Sequence, residues 1–281
     1  MAAPLGDVLI NGEPVAPDRA AVSVFDVGFQ RGYGCFEAMR SYQGSVFRGE
    51  QHVERLLASA ESLQLPVVDG ATLIDWIGDR ARQAGDAVIR VFVTGGTDFG
   101  SLGTNAKTIV FAEELPTIPA STSLRPTPAP WHSDGTESEL TGAKTMSYGP
   151  NMAARQHARA LGFGDALLVG RLGHVLEGPT YSVGWFTDGA FETPALRHGI
   201  LASITRAATV EVAAHLGISV VEGTFNEDRL RAADEVFVMS TIREILPVVR
   251  IADTTYAYGP LTKQLQIGFR DLVAAELGPV E

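Results

Sequence analysis

Three short stretches of this chain carry the side chains that could do chemistry. Lys144 lies in Gly-Ala-Lys-Thr-Met-Ser-Tyr at residues 142–148, Glu177 stands between an apolar stretch and Gly178, and Ser240 and Thr241 follow an apolar strand. A lysine amine can form a Schiff base with an aldehyde, a carboxylate can keep a ring nitrogen protonated, and hydroxyl groups can bind a phosphate. Taken singly, Lys144 is typical of a solvated turn and Glu177 of a hairpin end.

A fourth stretch offers a site for an anion. Ser203 is a helix-capping residue, and the helix that it begins is predicted to run to about Leu216, where Gly217 ends it. The backbone N–H groups of Ile204 and Thr205 would then point out of the helix N-terminus, together with the positive end of the helix dipole. This geometry predicts an anion site there.

The order of these stretches resembles that of the fold-type IV pyridoxal phosphate enzymes. This family includes branched-chain aminotransferases, D-amino acid transaminases, (R)-selective amine transaminases and aminodeoxychorismate lyases. The resemblance covers nearly the whole chain and is closest in character to the D-amino acid transaminases. It implies a two-domain α/β fold that holds pyridoxal 5′-phosphate in the cleft between the domains.

The resemblance also implies a role for each motif. Lys144 would be the Schiff-base lysine and the catalytic acid/base, and Glu177 would pair with the pyridine nitrogen, so that the ring withdraws electrons. The other residues implied to bind the cofactor are Arg55, Tyr148, Ser203, Ile204, Thr205, Ser240 and Thr241.

Among these residues, Arg55 and the hydroxyls would bind the phosphate, and Tyr148 would bind the ring oxygen or serve as an aromatic packing residue. The chain departs from the family pattern at residues 181–185, where Tyr-Ser-Val-Gly-Trp replaces a run like Ser-Asn-Ile-Phe. The cofactor contacts next to Glu177 therefore stay open.

Two arginines are candidates for binding a substrate carboxylate. Arg90 interrupts the apolar stretch 87–93, and Arg31 lies in the glycine-rich stretch 28–34. A buried arginine needs an anion, so Arg90 meets either a substrate carboxylate or a structural salt-bridge partner. Similar arginines occur at these two places in some D-amino acid transaminases of this fold, which favours a clamp and D-amino acid substrates. The better-known D-transaminase pattern, a tyrosine at position 31 and an Arg-x-His after Arg90, is absent.

Aromatic residues are expected around the substrate. Tyr33 and Phe36 are predicted to contact it, and Trp131 and Trp185 are further candidates for the pocket wall. Aromatic side chains also fill cores, and each of the four fits that role as well.

The predicted reaction is ping-pong transamination between an amino acid and a 2-oxo acid. A branched-chain aminotransferase would instead prefer L-leucine, an (R)-amine transaminase would accept amines without a carboxylate, and an aminodeoxychorismate lyase would release pyruvate without an oxo acid acceptor. A non-catalytic ligand-binding protein on the same fold is disfavoured because Lys144 and Glu177 are both present.

Composition limits the kinds of partner that the chain is expected to bind. The chain has 281 residues and a net charge of −11, from 22 basic and 33 acidic residues, which disfavours nucleic acid and anionic membranes. Small amino acid and 2-oxo acid substrates and a homodimer are expected, and no metal site is expected. The single cysteine, Cys35, cannot form an intrachain disulfide, and the first residues lack a signal-peptide pattern, so a reduced cytoplasm is expected.

A proline-rich stretch at residues 116–121 divides the predicted elements. We expect a small α/β domain at 1–116, a linker at 117–121, and a large α/β domain at 122–281 that carries Lys144. The elements predicted for the first domain are a hairpin around Asn11 and Gly12, strands at 34–42, 87–93 and 108–112, and helices at 51–63 and 72–85. The elements predicted for the second are strands at 165–169, 174–177, 185–187, 190–193 and 235–239, and helices at 150–161, 203–216 and 260–277. Asn226 is predicted to cap a further short helix.

Overall fold

The computed structural model describes residues 3–135 and 138–278 and contains two β-sheets with helices. The mixed α/β class predicted from the sequence is confirmed. The described residues form two compact units. The first comprises those up to Thr117, the segment Ala143–Ser147 and those from Glu276 onward, and the second comprises those of Ile118–Gly142 and Tyr148–Ala275.

The sheet of the first unit is antiparallel and has the strand order β2-β1-β6-β5-β3-β4. Its strands are β1 (Val8–Ile10), β2 (Glu13–Val15), β3 (Gly34–Tyr42), β4 (Ser45–Val46), β5 (Ala87–Thr94) and β6 (Thr108–Glu114). Asn11 and Gly12 join β1 to β2 with φ values of 52° and 87°, which asparagine and glycine tolerate best. The hairpin predicted at these two residues is therefore confirmed.

Helices cover one face of this sheet. The first unit contains α1 (Val27–Arg31), α2 (Gly49–Ser62) and α3 (Gly70–Ala84). Alternate residues of β3, such as Cys35 and Met39, are fully buried in one apolar cluster with Leu56 of α2 and Leu73 of α3. This alternation is the period-2 pattern of a strand with one face in the core.

The opposite face of the sheet, here called the distal face, carries a different set of side chains. Phe36 and Ala38 of β3 lie opposite Phe92 and Arg90 of β5 in the strand register. Because side chains alternate along a strand, all four point away from α2 and α3. They are half-buried within the chain.

The segment Ala143–Ser147 pairs with the edge of β3. The Phe36 N–H donates to the Lys144 carbonyl at 3.0 Å, and the Met146 N–H donates to the Gly34 carbonyl at 2.7 Å. The short strand β4 pairs only with residues 41 and 42 of β3, which leaves the start of β3 available for this segment. Lys144 thus belongs to the first compact unit, whereas the sequence places it in the second domain.

The sheet of the second unit mixes parallel and antiparallel pairs in the order β11-β10-β9-β12-β13-β7-β8, with β14 beside β13. Its strands are β7 (Thr122–Pro128), β8 (Asp165–Val169), β9 (Ser182–Thr187), β10 (Ala190–Pro194), β11 (Val220–Gly223), β12 (Glu235–Ser240), β13 (Glu244–Ile251) and β14 (Thr254–Thr255). In the antiparallel pair of β9 and β12, Ser182 lies opposite Met239, so the start of β9 and the end of β12 are at the same end of the sheet.

The remaining helices are α4 (Gly149–Ala160), α5 (Ile204–His215), α6 (Glu227–Arg231) and α7 (Pro260–Leu277), and Leu196–His198 form one 3-10 turn. Ser203 caps α5 by accepting a hydrogen bond from the Arg206 N–H, and Asn226 caps α6 in the same way from the Arg229 N–H. Both caps are those that the sequence predicts. Within the described residues, no helix has the length and apolar character that crossing a lipid bilayer requires.

Two expectations for the second unit are wrong. The strand predicted at residues 174–177 is reduced to isolated bridges, Val169 to Val175 and His174 to Asn226. Trp185 does not wall a pocket, because it is fully buried in the core of this unit and its indole N–H donates to Glu192 at 2.8 Å.

Candidate active site

Lys144 is fixed on both sides of its backbone. Its carbonyl accepts the hydrogen bond from Phe36, and its N–H donates to the Ser59 hydroxyl of α2 at 3.0 Å. Its Nζ lies 4.4 Å from the centre of the Phe36 ring, a cation–π contact. Because Phe36 points to the distal face of the first-unit sheet, the lysine amine lies beside that face.

On the helix-covered side of the same strand lies a buried ionic network. Glu37 is fully buried, and its carboxylate accepts two hydrogen bonds from Arg55, Nε to Oε1 at 2.7 Å and the second guanidinium nitrogen to Oε2 at 2.8 Å. His52 Nδ1 lies 2.8 Å from the same Oε2. The bidentate pair fixes the plane of the Arg55 guanidinium.

The network sets the protonation of its members. Burial alone would raise the pKa of Glu37, but the charge of Arg55 and the hydrogen bonds from His52 and Arg55 outweigh it and lower the pKa to about 2. Burial lowers the pKa of His52, and the hydrogen bond to Glu37 only partly offsets this. Glu37 is therefore a carboxylate, and Arg55 has an intrachain anion. The role of Arg55 in binding a phosphate stays a prediction.

Neither Glu37 nor His52 was singled out from the sequence, although a signal exists. Glu37 occupies a core-facing position of β3, between Cys35 and Met39, where an acid needs a cation. His52 and Arg55 are three residues apart on α2, which places them on one side of the helix.

Arg31 and Arg90 have separate surroundings in the first unit. Arg90 Nε donates to Glu113 Oε1 of β6 at 2.5 Å, with 27% of the Arg90 side chain exposed. Arg31 ends α1, is exposed, and donates to the Gln30 carbonyl at 3.0 Å. The salt-bridge partner considered for Arg90 thus exists, and the two-arginine clamp stays a prediction.

Of the two aromatic residues predicted to contact substrate, Phe36 has the more suitable place. Its ring stacks on Phe92 at 5.5 Å on the distal face and touches the Lys144 amine. Tyr33 packs against the core of the first unit, and its hydroxyl donates to the Leu63 carbonyl at 2.7 Å. Tyr33 therefore has a structural role, whatever else it contacts.

In the second unit, Glu177 is held by two groups. The Leu201 N–H donates to Oε2 at 3.3 Å, and His132 Nε2 lies 3.4 Å from Oε1. His132 Nδ1 accepts the Asp134 N–H at 3.3 Å, which leaves the ring proton on Nε2, where it points at Glu177. His132 was missed from the sequence, because nothing local marks a contact that spans 45 residues.

The predicted anion site is connected to this carboxylate through Leu201. Leu201, which donates to Glu177, precedes Ser203 by two residues. Ser203 is half-buried, and Ile204 and Thr205 are buried in the first turn of α5. The segment that carries Glu177 and the N-terminus of α5 are thus brought together within one unit.

The Ser240-Thr241 turn lies at the end of β12, beside the start of β9. Ser240 Oγ accepts the Arg243 N–H at 3.3 Å, and Thr241 is half-buried. Ser182 Oγ, at the start of β9, is buried and has no hydrogen-bond partner among the described residues. Tyr148 is the N-cap residue of α4 and is half-buried.

The departure from the family pattern at residues 181–185 has a structural explanation. The Tyr181 hydroxyl donates to the Ala166 carbonyl, and the Arg243 guanidinium lies 5.5 Å from its ring. Burial, and to a lesser degree the charge of Asp165, raises the pKa of Tyr181 well above its usual range. Tyr181 is therefore a neutral core residue that anchors this segment.

The chain matches the family model described as amino-transferase class IV over residues 34–251. A putative branched-chain-amino-acid aminotransferase of Methanocaldococcus jannaschii is 31% identical over 284 residues, which cover 94% of this chain and 96% of that protein. A D-alanine aminotransferase of Listeria innocua is 29% identical over 293 residues, covering 98% of each chain. The crystal structure of a branched-chain aminotransferase from Thermoproteus uzoniensis with norvaline has a TM-score of 0.87 and 27% identity, covering 96% of this chain and 95% of that chain.

Class IV aminotransferases use pyridoxal 5′-phosphate, and the second unit has groups that fit this cofactor. Glu177 would offer a carboxylate to a protonated pyridine nitrogen, and the α5 N-terminus with the Ser240-Thr241 turn would offer donors to a phosphate. The buried, unpartnered Ser182 hydroxyl indicates that a further polar group belongs near this end of the sheet.

Proposed function

Because the chain belongs to the class IV aminotransferase family, we propose that it moves an amino group between a D-amino acid and a 2-oxo acid in two half-reactions. Within the first unit, the Lys144 amine and the Arg90 side chain share the distal face of the sheet, and this placement supports an amino acid as the substrate. An amino acid needs a cation for its carboxylate next to the group that handles its amine.

The spacing along the sheet suits a small substrate. Phe36, which touches the Lys144 amine, lies two residues before Ala38, which is opposite Arg90. Two residues of a strand span roughly 7 Å. The side chain of Arg90 is long enough to cover part of this distance, so one amino acid would reach both cations.

Arg90 reaches a substrate carboxylate by sharing or exchanging its partner Glu113. Both residues are partly exposed, at 27% and 20% of their side chains, so the pair can open without uncovering a fully buried charge. Arg31 is exposed and supplies the second cation of the proposed clamp. Similar arginines at these two places in some D-amino acid transaminases support the D configuration, as does the D-alanine aminotransferase relative.

The proposed roles of the other residues follow from their contacts. Bound pyridoxal phosphate supplies an aldehyde for the amino group and a ring that withdraws electrons from the substrate α-carbon. Lys144 Nζ moves the proton of that carbon. Glu177 supplies the negative charge for the pyridine nitrogen, and His132 orients this carboxylate through its Nε2 proton. Arg55, with its guanidinium plane fixed by Glu37, binds the phosphate.

A branched-chain L-amino acid is the second candidate substrate. It is favoured by the 31% identical relative and by the Thermoproteus uzoniensis structure, both described as branched-chain aminotransferases. The same cofactor groups serve either substrate, so only the residues over the distal face would distinguish the two.

Half-reactions of the purified cofactor form with single donors test the proposal. D-alanine, D-glutamate, L-leucine and (R)-1-phenylethylamine are each mixed with the enzyme, and kcat/KM is obtained from the change in cofactor absorbance. We expect the D-amino acids to react fastest. A preference for L-leucine would overturn the D configuration, and pyruvate release from aminodeoxychorismate without an acceptor would identify a lyase.

Two variants and a control test the arginines. Arg31→Ala and Arg90→Ala should each lower kcat/KM for carboxylated donors by about tenfold or more, because a charge-assisted hydrogen bond contributes roughly 1.5–3 kcal/mol. (R)-1-phenylethylamine should be less affected, and Arg82→Ala, on an exposed ion pair of α3, should change neither. Equal losses with the amine and the amino acids would mean that the two arginines are structural.

We also propose a homodimer in the cytoplasm. Val24, Phe25 and Phe29 are 63%, 70% and 71% exposed, and an apolar patch of this kind favours a partner surface. The single cysteine, Cys35, cannot form an intrachain disulfide, which supports a reduced compartment. Burial followed by the charge of Glu37 raises its pKa to about 12, so this thiol stays protonated at neutral pH. Light scattering coupled to gel filtration measures the dimer directly, and a monomer at micromolar concentration would contradict it.

A further inference from the structure

The side chains of two histidines and one aspartate converge in the second unit. Asp134 Oδ1 lies 3.2 Å from His174 Nδ1 and 3.5 Å from His198 Nδ1. One possible ligand atom of each residue lies within 4.8 Å of those of the other two. Ligand atoms on one tetrahedral zinc ion lie about 3.3 Å apart, given bonds of roughly 2.0–2.2 Å. We propose that Asp134, His174 and His198 bind a divalent transition-metal ion such as Zn²⁺.

The ligand set selects the class of metal. Two imidazole nitrogens and one carboxylate oxygen suit Zn²⁺, Co²⁺, Ni²⁺ or Fe²⁺, whereas Mg²⁺ and Ca²⁺ prefer oxygen ligands. Three protein ligands leave a fourth position for water. The two oxygen-preferring ions are therefore the specificity controls for the site.

The ligands are oriented by contacts of their own. The second carboxylate oxygen of Asp134 accepts the Leu172 N–H at 3.3 Å, and His198 Nε2 lies 2.8 Å from the Thr224 hydroxyl. When His198 Nδ1 binds a metal, its proton is on Nε2 and can be donated to that hydroxyl. A hydrogen bond from the far nitrogen is the usual companion of a metal-binding histidine.

Burial also suits a bound ion. The Asp134 and His198 side chains are 5% and 7% exposed, and the His174 side chain is 23% exposed. Two ligands are thus shielded from water, while the third gives an ion access from solvent. A Cβ atom on Gly170 would collide with the Asp134 carboxylate, so a glycine is needed there for the carboxylate to reach this place.

The bound ion would connect three separate parts of the chain. Asp134 lies in the loop after β7, His174 follows the turn after β8, and His198 ends the 3-10 turn Leu196–His198. The Asp134 N–H is also the donor to His132 Nδ1, and His132 faces Glu177. The metal therefore has a structural role, in which it holds the segment that positions His132.

Metal titration of the tag-free holoenzyme tests the site. After chelator treatment and dialysis, Zn²⁺ is titrated by calorimetry and Co²⁺ by visible absorption. We expect one ion per chain with a micromolar or tighter Kd, the absorption of four-coordinate Co²⁺, and no comparable binding of Mg²⁺ or Ca²⁺. Zn²⁺ should also raise the melting temperature by mass action.

Matched variants locate the binding. Asp134→Asn and His174→Asn should weaken Zn²⁺ binding by at least about tenfold. His157→Asn, at an exposed position of α4, should bind like the wild type. Circular dichroism checks that each variant is folded, and if the Asp134 variant is not, the His174 variant and the wild-type titration decide.

Two results would overturn the metal site. One is a wild type that shows no saturable binding at millimolar Zn²⁺, which would mean that the cluster is held by hydrogen bonds alone. The other is unchanged Zn²⁺ binding in a folded His174→Asn variant, which would place the ion elsewhere on the protein.

Discussion

The buried carboxylate of Glu37 allows a quantitative prediction. Glu37→Gln keeps the shape of the side chain but removes the charge that Arg55 and His52 contact at 2.7–2.8 Å. The folded protein lowers the pKa of Glu37 from 4.5 to about 2. This difference corresponds to roughly 3 kcal/mol of stability at neutral pH. Removing one partner of a buried ion pair costs about 3–5 kcal/mol in other proteins, which agrees.

Urea unfolding of the holoenzyme at neutral pH, followed by circular dichroism, measures the loss. We expect Glu37→Gln to lower the free energy of unfolding by about 3 kcal/mol with an unchanged denaturant slope. Glu54→Gln, at an exposed position of α2, is the matched control and should stay within about 0.5 kcal/mol of the wild type. The pH dependence of this contribution follows from the lowered pKa of Glu37. The carboxylate stabilises the fold above pH 4.5, and this stabilisation is lost as the pH falls toward 2.

Equal stability of Glu37→Gln and Glu54→Gln at neutral pH would show that the buried charge of Glu37 does not stabilise the fold. A second readout separates stability from function. Since Glu37 fixes the guanidinium of Arg55, the variant should also raise the Kd for pyridoxal phosphate if Arg55 binds the phosphate. An unchanged Kd together with lost stability would confine Arg55 to a structural role.

Three further predictions concern the site and its pH dependence. Lys144→Ala should lower transamination by several orders of magnitude, while Lys263→Ala, exposed on α7, should keep full activity in the same assay. Glu177→Gln should lower turnover more than cofactor affinity, and His132→Phe should have a smaller effect in the same direction. Both effects are measured by kcat and by cofactor titration. Equal kcat in the wild type and the two variants would refute the pairing of Glu177 with the pyridine nitrogen. Burial lowers the pKa of His52 below 6.5, so on acidification the unfolded chain binds this proton before the folded protein does. The stability of the folded state therefore falls as the pH drops below 6.5. The melting temperature, measured between pH 7.5 and 5.5, should depend less on pH in His52→Gln than in the wild type.

Local sequence signals predict much of the fold. The hairpin at Asn11 and Gly12, the caps at Ser203 and Asn226, and the final helix Pro260–Leu277 all depend on turn, capping or periodic patterns within a few residues. Strand β7 was missed because its prolines at 126 and 128 argue against a strand. Its parallel pairing with β8 and β13 is a tertiary contact that no local sequence pattern indicates.

The candidate site was likewise predictable only where local sequence marks it. The motifs around Lys144, Glu177 and Ser203 were visible because each combines a reactive type with a recognisable local setting. The contact of His132 with Glu177 joins positions that are distant in the chain, and so does the convergence of histidines on Asp134. Such contacts depend on the sheet register and on loop conformation, which one sequence does not specify.

The pairing of Ala143–Ser147 with β3 also constrains how the protein is made. Phe36 and Lys144 are more than a hundred residues apart, so a growing chain on the ribosome must expose the edge at Gly34 until the lysine segment emerges. An unpaired strand edge is a template for pairing with other chains. A fragment that stops at Thr117 should therefore aggregate more readily than one that is fused to residues 143–147, and cotranslational folding should complete the first unit only late in synthesis.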